Sequence, residues 1–138
     1  MAILLLLLLG NSLEMQIGAR GVLLLYFGGS LFAAIALLIV AGSSAQPFTG
    51  SFNAVSAITG GYFMLQKPLV QKYWFNLSGY YSRILQMLAL WFAINIAFNL
   101  YTPLEQMIPL IASSMGAFAY GCLAAQPIYK WITADNRN

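Results

Sequence analysis

Between Gly21 and Ala41 the chain reads VLLLYFGGSLFAAIALLIV without one charged residue. As a helix, such a run covers about 30 Å, the thickness of a bilayer's hydrocarbon core. In water this much contiguous apolar surface drives aggregation. In lipid a spanning backbone satisfies its hydrogen bonds only as a helix or a closed barrel. The whole chain follows the same pattern: of 138 residues 61% are hydrophobic and 7% charged, with mean hydropathy +0.78. Soluble domains carry about a quarter charged residues. The expected fold is therefore an all-α integral membrane protein, one membrane domain over 1–138.

Three further segments complete the expected spans. Residues 50–66 include NAVSAITGGYFML, short and less apolar but uncharged; 83–100 include ILQMLALWFAINIAFNL; and 103–126 follow a turn at Tyr101. With 21–41 these make four transmembrane helices arranged as two helical hairpins. Thr102, Pro103 and Glu105 have the spacing of a capping box with proline at the first helical position. Residues 1–19 read as an apolar N-terminal segment, interfacial or packed against a partner. The leucine run Met1 to Leu9 reaches only about 14 Å as a helix; no basic residue precedes it, and Gly10, Asn11 and Ser12 mark its end.

Charge gives the expected sidedness. With four spans, Arg20, Lys67, Lys72, Arg83, Lys130 and Arg137 fall on one side of the membrane, and both opposite connections lack a positive residue. The positive-inside rule then puts both termini on the cytoplasmic, stromal or matrix side. Tyr73, Trp74, Tyr80, Tyr81, Tyr129 and Trp131 lie near the same face, where aromatic rings anchor at headgroup level. The pI of about 9.2 rests on six scattered basic residues, too few for a groove that tracks phosphates, so nucleic acid is not an expected partner. Membrane lipids and other integral membrane subunits are.

Small residues mark expected packing faces, because they let helix backbones approach closely. Ser113, Ala117, Gly121 and Ala125 recur every four residues in the last span, Ala89, Ala93 and Ala97 in the third, and Ser56 with Gly60 in the second. Asn95, near the middle of the third span, is expected to bond across helices, since an unpaired amide is costly there. The second and fourth spans end alike, in QKPLVQKYW and QPIYKW, as duplication of a hairpin or a shared interfacial chemistry would produce.

No chemistry declares itself. There is no histidine and a single cysteine, Cys122, so neither a histidine-based site nor an intrachain disulfide exists within this sequence. The span centres lack the ionisable residues typical of ion-coupled carriers. Glu14, Glu105 and Asp135 are too dispersed for a metal-ligand pattern, and no phosphate-binding or nucleophile-elbow motif occurs. No catalytic or metal-ligating residue is assigned, and a pigment or quinone site stays open without a nominated ligand. The two-hairpin layout, with aromatic and basic residues between Lys72 and Arg83, resembles small four-span proteins of Golgi and secretory membranes, and the resemblance implies no site residue. The expected function is that of a non-enzymatic accessory or structural subunit stabilising a larger membrane complex, such as a bioenergetic one, through helix packing. The alternatives are a small oligomeric carrier or channel, or a four-span trafficking protein.

Overall fold

A computed structural model describes residues 2–42, 50–65 and 79–137. They form four helices, α1 (Ala2–Ala41), α2 (Gly50–Leu65), α3 (Gly79–Phe98) and α4 (Leu104–Asp135), and no strand occurs among the described residues. The all-α membrane fold thus stands. Helices α1, α3 and α4 are long and apolar enough to cross a bilayer, whereas α2 has 16 residues.

The first helix is two legs. At Gly18 the backbone takes φ 71° and ψ 170°, a region essentially restricted to glycine. Leu6, Gly10 and Glu14 before this point line one cavity of about 540 Å³ together with Val22, Tyr26 and Ile58. In a straight helix Leu6 and Tyr26 would be some 30 Å apart; here the legs fold back on each other. Leu13 and Ile17 are fully buried against Leu25 of the second leg and Ile58 of α2. The N-terminal stretch therefore packs against the second leg and α2. Helix continues through Gly10, Asn11 and Ser12, and the break comes at Gly18, where a positive φ is available.

Helix α2 occupies the middle. Every residue from Asn53 to Gly61 is buried, enclosed mainly by α1 and α4. This position explains its less apolar sequence, because Asn53, Ser56 and Thr59 are buried against protein. The approaches around it are close. A Cβ on Gly29 would strike Ala57, one on Gly121 the Ala57 backbone, and one on Gly60 the Phe118 carbonyl. Glycine at these positions lets the second leg of α1, α2 and α4 meet backbone to backbone.

The start of α4 differs from the expected capping box. Pro103, with φ −55° and ψ 141°, is the N-cap, and no side chain caps the helix. Thr102 is instead drawn into the preceding turn, its N–H donating to the Asn99 carbonyl at 2.9 Å. Glu105 remains in the first helical turn, where a carboxylate favours the helix dipole. At the other end α4 runs through Pro127 to Asp135, well past Gln126.

Candidate intramembrane serine site

The expected packing residues divide into two groups. Ser113, Ala117, Gly121 and Ala125 of α4 are all buried, as are Ser56 and Gly60 of α2. Ala89, Ala93 and Ala97 of α3 are exposed. This helix turns a different face inward, with Ser82, Ile84, Trp91 and Asn95 as its buried residues. Bulk and hydrogen-bonding capacity, not small size, decide the contact. Of the anchoring aromatics, Tyr81, Tyr129 and Trp131 are exposed; Tyr73, Trp74 and the side chain of Tyr80 lie outside the described residues.

On α2, Asn53, Ser56 and Thr59 follow one another at three-residue intervals and share a face. Opposite them stand Ser113 and Ser114 of α4, and from the side comes Trp91 of α3. The Ser56 and Ser114 hydroxyl oxygens are 3.2 Å apart. The Trp91 indole N–H donates to Ser114 Oγ at 2.9 Å, while its ring stacks on Phe118 with centroids 5.0 Å apart. Beside this trio, Ser113 donates to the Leu110 carbonyl at 2.9 Å, with Asn53 Oδ1 at 3.4 Å. Thr59 bonds to the Val55 carbonyl at 2.8 Å in its own helix. No buried side-chain nitrogen or oxygen among the described residues lacks a partner, as a low-dielectric interior demands.

Asn95 does not bond across helices. Its amide donates to the Trp91 carbonyl one turn earlier at 2.8 Å, and Asn99 repeats the pattern onto the Asn95 carbonyl at 2.8 Å. The helix itself satisfies the amide, so no neighbour is required. Farther along, Cys122 is buried with Sγ 3.7 Å from the Gly60 carbonyl, and Arg83 of α3 donates to the Phe63 carbonyl in the last turn of α2. Glu14, Glu105 and Asp135 form no metal-binding group among the described residues.

Ser114 and Trp91 went unnoticed in the sequence. The four-residue stripe singled out Ser113 and placed Ser114 about 100° away round the helix. Two signals were nevertheless present: adjacent hydroxyls in the middle of an apolar span, and a tryptophan at mid-span when that residue favours membrane interfaces.

What the arrangement offers is a serine hydroxyl, deep in a membrane bundle, beside a second group at hydrogen-bonding distance. No curated protein and no solved structure matches the chain. The model of the Rhomboid domain matches residues 1–131. That family comprises intramembrane serine proteases and their inactive relatives. The match overturns the expectation of an accessory subunit, together with the carrier and trafficking alternatives, and the expectation of a protein outside enzyme families. Those readings followed from searching for ionisable groups and soluble-enzyme motifs, whereas hydroxyls inside apolar helices look like packing residues. With nearly its full length matched, the chain belongs to the rhomboid family.

Proposed function

We propose that the chain handles membrane-spanning segments of other proteins at an intramembrane site centred on Ser56. The observation that carries this reading is the Ser56–Ser114 pair at 3.2 Å, in a chain whose family comprises intramembrane serine proteases and their inactive relatives. In such chemistry a serine oxygen attacks the peptide carbonyl carbon as its proton passes to an adjacent group, which then returns a proton to the leaving amine. Ser114 stands at the outer edge of the distance that group occupies. It is itself a hydroxyl and a weak base, and no histidine exists in the sequence. The identity of the proton acceptor for Ser56 is thus the property on which turnover depends.

A fluorophosphonate probe tests the assignment in protein reconstituted into bicelles. Labelling abolished by Ser56→Ala and retained in Ser113→Ala supports Ser56 as the nucleophile position. Ser114→His sets an imidazole beside Ser56 and should raise labelling at least tenfold. If neither the wild-type chain nor Ser114→His labels at Ser56 while both remain folded, the reading is overturned.

A further inference from the structure

We infer that Trp91 fixes the direction of the hydrogen bond within the serine pair, so that Ser114 donates to Ser56 and Ser56 is held as the acceptor. The argument is an accounting of protons. An indole N–H donates and never accepts, so its 2.9 Å contact occupies a lone pair of Ser114 Oγ. The Ser114 hydroxyl still has its own proton to place. Trp91 cannot take it, and among the described residues the remaining hydrogen-bond partner of Ser114 is Ser56 Oγ at 3.2 Å. The three groups form a directed chain, indole N–H to Ser114 to Ser56. Each bond polarises the next and strengthens it.

The consequence rests on the Ser56-centred reading. An attacking serine donates its proton toward its partner; in this pair the proton runs toward Ser56 and occupies one of its lone pairs. Trp91 is a positioning residue that keeps the site in this reversed sense. The stack on Phe118 holds the indole in place, and α3, which carries it, touches α2 little. Withdrawal of Trp91 leaves Ser114 free to accept from Ser56.

Indole nitrogen–proton NMR of the full chain in micelles tests the direction, with the Trp91 signal assigned by its loss in Trp91→Phe. Ser114→Ala should accelerate exchange of the Trp91 indole proton at least tenfold, and Ser113→Ala should leave it unchanged. Ser56→Ala discriminates by sign. If Ser114 donates to Ser56, removing Ser56 weakens the polarised chain, and the indole proton moves upfield and exchanges faster. If Ser56 donates to Ser114, its removal ends competition for Ser114 lone pairs, the indole proton moves downfield, and the inference is overturned. An unchanged exchange rate in Ser114→Ala overturns it too. Trp91→Phe keeps a ring against Phe118, so a rise in fluorophosphonate labelling of Ser56 by threefold or more reports the lost N–H. The indole signature without labelling in any variant refutes the serine-site reading and leaves the hydrogen-bond direction standing.

Discussion

The second leg of α1, α2 and α4 are joined in one way and α3 in another. The first three meet through glycine and alanine, with Gly29, Ala57 and Gly121 bringing backbones together, and Ala33, Ala57 and Ala117 fully buried between them. Helix α3 makes most of its contact with α4, little with α2, and none of note with α1. It is attached by Ile84, by the Trp91 stack and hydrogen bond, and by the Arg83 contact to the end of α2. Backbone proximity tolerates no enlargement and distributes its strength over many atoms. A side-chain attachment concentrates strength in a few groups and leaves the rest of the helix free to vary. In lipid, where helices gain little hydrophobic energy by meeting, that difference decides which helix is easiest to displace.

Substitutions at the two kinds of contact test the distinction. The largest effect is expected from Gly121→Leu, whose side chain would enter the Ala57 backbone. Overpacking typically costs 1–3 kcal/mol, about 3 kcal/mol or more being expected where backbone itself obstructs, and denaturant titration in detergent should show loss of the folded form. Tolerance of this leucine would break the account of the core.

Trp91→Ala comes next. It removes a stacked ring and a hydrogen bond, a loss of about 3 kcal/mol, the low end for a buried tryptophan because the helices meet in lipid, and hydrogen exchange should show α3 amides losing protection while those of α2 and α4 keep theirs. Equal loss across all helices would mean that α3 is no separate unit.

Gly18→Ala keeps the size of the residue small but places a Cβ where φ is 71° and ψ 170°. A cost of roughly 1–3 kcal/mol is expected. The loss should appear as reduced thermal stability and weakened contact between the legs, read by cross-linking of cysteines placed at Leu6 and Tyr26 in a Cys122→Ala background. The smallest effect belongs to Ala93→Leu on the exposed face of α3, within about 0.5 kcal/mol of wild type. A larger loss would reveal that this face is covered by something outside the chain.

Fold class was legible because hydropathy is a sum, and Gly21 to Ala41 alone commits the chain to lipid. The inward face of α4 was legible as well, since only small residues at a fixed interval fit between close backbones. The same rule misplaced the face of α3, where Ala89, Ala93 and Ala97 share an interval but Trp91 and Asn95 carry the buried groups. A stripe of small residues says where an approach is possible; it does not say that a neighbour is present. The site was harder still. Ser56 was singled out for its size, and its partnership with Ser114 joins residues 58 positions apart, a relation that exists only once α2 is enclosed. The expected box at Thr102 is absent because the helix begins one residue later, with Pro103 as its N-cap, and the Thr102 N–H that Glu105 would have bonded goes to the Asn99 carbonyl.

The reversal at Gly18 also changes how the chain must enter a membrane. Ile3 to Ala41 is one continuous apolar stretch in sequence, yet its two legs pack against each other, Leu13 and Ile17 against Leu25. The turn between the legs is polar: Glu14, Gln16 and Arg20 flank Gly18 and are exposed, a composition suited to headgroup level. A residue that straightened the turn would carry the first leg away from Leu25 and Ile58 and expose the fully buried Leu13 and Ile17.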